Sequence, residues 1–449
     1  MLRFVAAIVA ALAISPAAAH AAEPEVFRLA EDGHAPQLGV DARGNAIAAW
    51  QADAAKTRGD PYEQTNAVFV SLRRAGGRFA KPRPVTRLDL AVATYALDVG
   101  ASGDGAIAWQ AAGAGGQVYV QRRRRGGGFG PAAALARSRG GREPAAAIDA
   151  RGRLLVAWLA PSRRERCGMV VMATVAPRKG RFRAPKRLSD DCAHAGYLRA
   201  ALARDGDGAV AWRSAGARSA ISRSTIRIAT FAGGRFHAQR AASAVGNVGE
   251  TLALAAGGQR TLAVWRDKGD TANRVLAAAI GGDRIAAPVV VAATREVLLS
   301  DVQVALSPRD AAIVGWQRAP RGSSIWDSFA TGEVAMRAAA DGSFGAPDVL
   351  VEGIETASSY GLTGLAIDAA GRALAGYGDV VRRRPLAGPW GREIALHHRA
   401  DYSDPDWPPS GDEISVALSD SGEGVALWDL EGPDGGSDYM RAAVIPAPG

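Results

Sequence analysis

Cysteine and histidine are scarce in this 449-residue chain, and each scarcity removes a class of chemistry. Two cysteines, Cys167 and Cys192, are too few for the usual four-ligand metal cage. Beyond the first 22 residues the histidines are His34, His194, His237, His397 and His398, and none stands in a triad context. There is no Gly-x-Ser-x-Gly elbow, so serine hydrolysis has no foothold. His397 and His398 adjoin in a strand-like stretch, where alternation sends the two rings to opposite faces and spoils a joint metal site. Long apolar runs are missing as well. The stretch from Phe4 to Ile14 is too short to span a bilayer, and no later segment approaches that length.

Residues 1–22 read as an export signal, with Arg3 as the positive start, Phe4 to Ile14 as the apolar run and Ala19-His20-Ala21 as the cleavage site. The expected product is exported and soluble, extracellular or, behind an outer membrane, periplasmic. The two cysteines lie too far downstream for a lipid anchor.

What the chain does have is a repeat. Asp41-Ala42-Arg43-Gly44 leads through an apolar run to Trp50, and the phrase returns at Trp109, Trp158, Trp212, Trp265, Trp316 and Trp428, with Tyr377 in the aromatic's place once. The eight copies are spaced by 59, 49, 54, 53, 51, 61 and 51 residues, a period that marks a repeat architecture. Six residues before the anchor stands glycine in six copies, as the left-handed closing position of a hairpin loop requires; Gln259 and Asp310 are the exceptions. The run after the turn is apolar on both faces, as in Leu154-Leu155-Val156-Ala157-Trp158, so sheets must cover it on both sides. A second turn follows, with an aromatic after its glycines at Phe79, Phe129, Phe182, Phe236 and Phe344, and Ile285 or Trp390 in that place elsewhere.

Four short antiparallel strands per copy predict a β-propeller over residues 23–449. A β-sandwich or a solenoid is the runner-up. The copies indicate eight blades; seven would require the Tyr377 copy to lie outside the ring. The eighth copy stops after its third strand, at Tyr439 to Ile445, whereas Glu25 to Leu29 is a strand to spare. Pairing of the two is expected to close the ring and remove its open edge. Cys167 and Cys192 flank the third and fourth strands of one copy, a hairpin placement that, in an exported protein, predicts a disulfide.

The turns joining strands one to two and three to four are short and uniform and share one face. The connections from strand two to three and from blade to blade are long and varied on the other, where function is expected. Two tryptophans fall outside the repeat pattern, Trp326 and Trp407, both on those long connections. With Tyr402, Asp404, Asp406 and Tyr360 they form the candidate ligand-binding set, an aromatic face for a sugar ring beside acceptors for its hydroxyls. No cofactor or metal is expected; Asp401, Asp404 and Asp406 are the best-placed residues for a calcium ion, better than Asp205-Gly206-Asp207-Gly208, which coincides with a repeat turn. Arg58-Gly59-Asp60 spells an adhesion tripeptide that composition alone explains. The acids Asp190, Asp191, Glu250, Asp267, Asp270, Glu352 and Glu355 on the same face leave carboxylate-pair hydrolysis open.

The balance of 54 basic to 45 acidic residues gives a net charge of +9, densest at Arg122 to Arg125 and Arg382 to Arg384. These are read either as an attraction for acidic envelope polymers or as solvated arginines at strand ends. Nucleic acid is not an expected partner, since export removes it and no binding motif is present.

The whole of residues 23–449 resembles secreted bacterial β-propeller repeat proteins and, distantly, the sialidase-like propellers. The turn-plus-tryptophan phrase carries the resemblance, as in Asp149-Ala150-Arg151-Gly152 leading to Trp158. Sialidases carry boxes of the form Ser-x-Asp-x-Gly-x-x-Trp; here the gap from glycine to tryptophan is longer, and no copy matches. Their catalytic set joins an arginine triad, a tyrosine with its glutamate, and an acid. Tyr360 near Glu355 is the one pairing that could be placed there, and no catalytic residue is carried over. Two readings stand: a non-catalytic exported protein binding a glycan, an envelope polymer or a protein on the long-connection face, and alternatively a glycan-active hydrolase or lyase at the channel mouth.

Overall fold

The computed structural model describes residues 23–53, 66–88, 91–112, 115–162, 168–190, 193–216, 224–244, 248–268, 272–298, 302–320, 329–337, 342–355, 362–378, 380–385, 388–396, 413–431 and 438–447. Each repeat folds into one antiparallel sheet, and eight sheets make an eight-bladed β-propeller with no helix among the described residues. Blade 1 shows the plan from the centre outward: His34–Val40, Ala46–Asp53, Asn66–Arg73 and Arg83–Pro84. The first strand of every blade touches the first strand of the next, and the circuit closes from blade 8 back to blade 1. The copy with Tyr377 is a full blade (Leu362–Ile367, Ala373–Tyr377, Val380–Arg384, Glu393–Ala395), which settles the count at eight.

The second strands are the buried spine. Their alternation separates two kinds of side chain: the tryptophan points to the preceding blade, and the small residues beside it receive the following blade's tryptophan. Thus Ala106 and Ala108 of blade 2 share a cluster with Trp158 of blade 3, and Ala209 and Ala211 of blade 4 with Trp265 of blade 5. Six of these tryptophans are fully buried or within 1% of it. Alanine is abundant in these strands because a larger side chain would force the blades apart.

Seven of the eight first turns are five-residue loops whose fourth residue lies at positive φ, from Gly152 at 76° to Gly206 at 96°, with Asp310 at 65° in blade 6. In blade 1 the Gly44 N–H donates to the Asp41 carbonyl at 3.0 Å and the Asp41 N–H to the Asn45 carbonyl at 2.9 Å. The side chain of the first turn residue then receives two further backbone N–H groups, as Asp41, Asp149 and Asp368 each do at 2.8–2.9 Å. Blade 5 departs: its loop is only Gly257-Gly258-Gln259-Arg260, closed by Gly257 N–H to the Arg260 carbonyl at 2.8 Å, so Gln259 needs no left-handed backbone. The fourth strands are short, two residues in blades 1 to 3.

Blade 8 takes Ile414–Leu418, Gly424–Glu431 and Asp438–Ile445, and its outer strand is Glu25–Ala30, with Glu25 opposite Val444 and Phe27 opposite Ala442. The closing strand also grips blade 1. Phe27 meets Phe79 edge-on with ring centres 5.9 Å apart, and Arg78 Nε lies 3.2 Å from Glu25 Oε1.

Candidate functional site

The first strands run from the long-connection face to the short-turn face, and in six blades the entry end is bulged or irregular in register. In blades 1, 3 and 4 two residues oppose a single tryptophan: 35 and 36 across from Trp50, 143 and 144 from Trp158, 197 and 198 from Trp212. The first residue of each bulge is a non-glycine at positive φ: Ala35 at 52°, Glu143 at 47°, Tyr197 at 55°. Tyr95 of blade 2 holds the blade 1 bulge, its hydroxyl placed 2.5 Å from the Ala35 carbonyl and 2.9 Å from that of Ala49; burial pushes its pKa well above the usual phenol value.

At the seam of blades 8 and 1 the same face opens into a pocket of about 600 Å³. Trp50 and Phe69 stack beneath it, ring centres 6.4 Å apart and planes 19° from parallel. Tyr439 forms a wall, with the Arg28 guanidinium 4.2 Å from its ring centre. Glu31, Asp32 and Asp53 supply three carboxylates against that one guanidinium. Asp32 Oδ2 accepts the Asp53 N–H at 3.3 Å, and Arg28 lies 3.7 Å from Glu31. The chain can cross so close to Trp50 only because residue 33 is glycine; a Cβ there would stand 2.7 Å from the indole Cδ1. The part-exposed rings of Phe69 and Tyr439, framed by acceptors, suit a hydroxyl-bearing ring, while Trp50 is buried behind Phe69; the excess of carboxylates disfavours an anion.

The central channel encloses about 470 Å³ and all eight blades line it. Its strand-borne lining is alanine, valine, leucine, isoleucine and glycine, with one exception, Asp98. The carboxylate accepts the N–H of Val99 at 2.9 Å and, across the seam, that of Ile148 at 2.6 Å. Desolvation pushes its pKa up to about 6, against the pull of those two hydrogen bonds. Other seams carry similar stitches from side chain to neighbouring first strand: Gln37 receives the Leu97 N–H at 2.7 Å, Thr363 the Ile414 N–H at 2.9 Å, Ser415 the Leu38 N–H at 3.1 Å. At the short-turn mouth Arg204 of blade 4 reaches Asp420 of blade 8 at 4.0 Å, joining blades that stand opposite one another.

Trp326, Trp407, Tyr402, Asp404, Asp406 and Tyr360 lie outside the described residues, as do Cys167, Cys192, Asp401, His397 and His398. Among the acids, Asp190 accepts from Gln239 Nε2 at 2.6 Å and Asp267 pairs with Arg274. Glu333 holds both the Trp316 indole N–H and Arg318 Nε, each at 2.9 Å. Sequence reasoning missed the blade 8/1 pocket and Asp98. Pro36 and Pro144 were available as signals for the bulges, since proline inside a strand marks broken pairing. The cluster at Arg382 to Arg384 is a tether: Arg382 donates to the carbonyls of Gly391 (2.9 Å) and Leu350, and Arg383 to those of Ile445 (2.7 Å) and Pro446. Burial, with Arg372 nearby, lowers the Arg383 pKa to about 10.

No family profile matches the chain, and no curated protein matches it by sequence. Solved structures do. The polysaccharide lyase Uly1 aligns with a TM-score of 0.50 at 9% identity, over 79% of this chain and 90% of its own. A protein of unknown function from Dyadobacter fermentans aligns at 0.43 and 12% identity, over 95% of this chain and 98% of its own. The BP39L lectin from Burkholderia pseudomallei aligns at 0.43 and 13% identity, over 74% and 99%. At these identities the likeness is one of fold.

Proposed function

We propose that this chain is an exported propeller that binds uncharged glycans on its long-connection face and does not cleave them. The pocket at the seam of blades 8 and 1 carries the proposal: Phe69 beneath it, backed by buried Trp50, Tyr439 beside it and three carboxylates around it. Its acids are already engaged, Asp32 with the Asp53 N–H and Glu31 with Arg28, which suits acceptors that orient hydroxyls better than an acid–base pair. The fold shared with a polysaccharide lyase agrees with a polysaccharide partner and, as a fold likeness, assigns no chemistry. The test incubates the protein with insoluble neutral polysaccharides and scores retention and newly released sugar ends together. Retention without release, reduced at least fivefold by Tyr439→Ala, is expected. Release of ends, or retention indifferent to Tyr439→Ala, defeats the proposal. Trp326→Ala and Trp407→Ala test in the same assay whether the long connections contribute.

A further inference from the structure

A second cleft, of about 860 Å³, lies between the outer parts of blades 2 and 3, reaching from the short turns at Asp104 and Gly152 to the second turns of both blades. It exists because the fourth strands there, Ala133–Ala134 and Lys186–Arg187, are two residues long, so the blades thin toward the rim and leave a gap. Six arginines line it (122, 123, 124, 178, 181 and 183) and a single carboxylate, Asp104, an excess of five positive charges.

The arginines are not equivalent. Arg178 pairs with Asp104 at 2.7 Å, Arg123 donates to the Gly103 carbonyl at 2.9 Å, and Arg183 to that of Gly234 at 2.9 Å. These three are structural. Arg122 is half engaged: Nη1 donates across the seam to the Pro177 carbonyl at 2.8 Å, while Nη2 is buried with no protein acceptor. Arg124 and Arg181 are exposed and have no side-chain partner among the described residues. Burial, and then the Arg124 charge, depress the Arg122 guanidinium below its ordinary value. A buried donor without an acceptor, beside a second arginine's charge, is destabilising until an anion arrives.

We infer that this cleft binds an anionic sugar unit, bearing a carboxylate or a sulfate, whose oxygens meet Arg122 Nη2 and the forks of Arg124 and Arg181. Guanidinium edges match both oxyanions two bonds at a time. The exposed apolar lining, with Pro131, Ala133 and Ala184, offers a surface for the carbon face of a sugar ring. A nucleic acid fits less well, because single strands need open aromatic faces to stack their bases. The one aromatic here, Phe182, has its ring under the Arg122 guanidinium, 4.6 Å from its centre. This site is independent of the acid-lined pocket, and its ligand carries the opposite charge preference.

The experiment is calorimetric titration of the full chain with galacturonate hexamer, a sulfated galactan oligomer and a single-stranded DNA 12-mer, at low and moderate salt. Binding of one of the two anionic sugars is expected, weakened as salt screens the charges and at least tenfold by the double substitution Arg124→Ser, Arg181→Ser. The same titration with Tyr439→Ala should be unchanged, so that failure here and failure of the neutral-glycan pocket are told apart. Both surface arginines lack partners among the described residues, so the fold is not expected to suffer, and circular dichroism checks it. No binding of either sugar, or equal affinity in the double variant, overturns the inference. Tighter binding of the DNA, lost in the double variant, overturns it in favour of nucleic acid.

Discussion

Asp98 is a carboxylate in a wall of alanine, valine and leucine, held there by two backbone N–H groups that would otherwise face the channel unpaired. Its folded pKa of about 6 lies above the reference 3.8, so the native state takes up its proton more readily than the unfolded chain does. The stability it confers is therefore complete below about pH 4 and is lost as pH rises through 6. Above that the buried charge costs at most about 3 kcal/mol, less in proportion as water reaches the lumen. Urea midpoints measured at half-unit steps from pH 4 to 7 should fall over this window in the wild type and lose that component in Asp98→Asn. A midpoint–pH curve of identical shape in the two proteins would refute the assignment. Nothing in the sequence marks this residue, because a carboxylate in a first strand reads as a solvated position until the ring places it against its neighbour.

Turns, bulges and strand edges differ in how far they can be read ahead. The left-handed position of the first turn is written in glycine, since the backbone there leaves no alternative except a residue such as Asp310. Close packing adds to it: a Cβ on Gly103 would lie 2.6 Å from Asp41 Oδ2 of the preceding blade, whereas one on Gly76, in a second turn at φ +68°, meets nothing. Gly76→Ala should thus cost about 1 kcal/mol, the backbone penalty alone, and Gly103→Ala about 3 kcal/mol or more. Equal losses in thermal or urea unfolding would mean that the seam contact is irrelevant. The shortened loop of blade 5 was not legible, since Gly257-Gly258 looks like a shifted copy of the same glycine signal.

At the scale of the molecule the repeat count and the closing strand were both legible, because each rests on periodicity and on a pairing surplus at one terminus. The pocket proposed to bind was not legible. Its walls come from blade 8 and blade 1, and their meeting is a property of the ring rather than of any one repeat. Arg204 and Asp420 make the same point: they are four copies apart, and only an eightfold circuit sets them opposite each other. Removing residues 23–30 should open the ring by uncovering the edge of Asp438–Ile445 and by withdrawing Phe27 and Glu25 from blade 1. The expected result is a lower urea midpoint together with concentration-dependent self-association in light scattering. A monomer as stable as the intact chain would mean that closure by this strand is dispensable.

The clasp between Glu25–Ala30 and Asp438–Ile445 also sets a clock. A ribosome adding about 5–20 residues per second needs roughly 20–80 seconds between finishing the first of these strands and finishing the second. Throughout that interval the earliest strand has nothing to pair with, and however many blades have formed, both flanks of the arc stand open. The pairing with the greatest separation along the chain comes last, so native structure is completed only after synthesis. Under the export proposed above this timing is an asset: a polypeptide unable to lock early stays threadable until it has crossed.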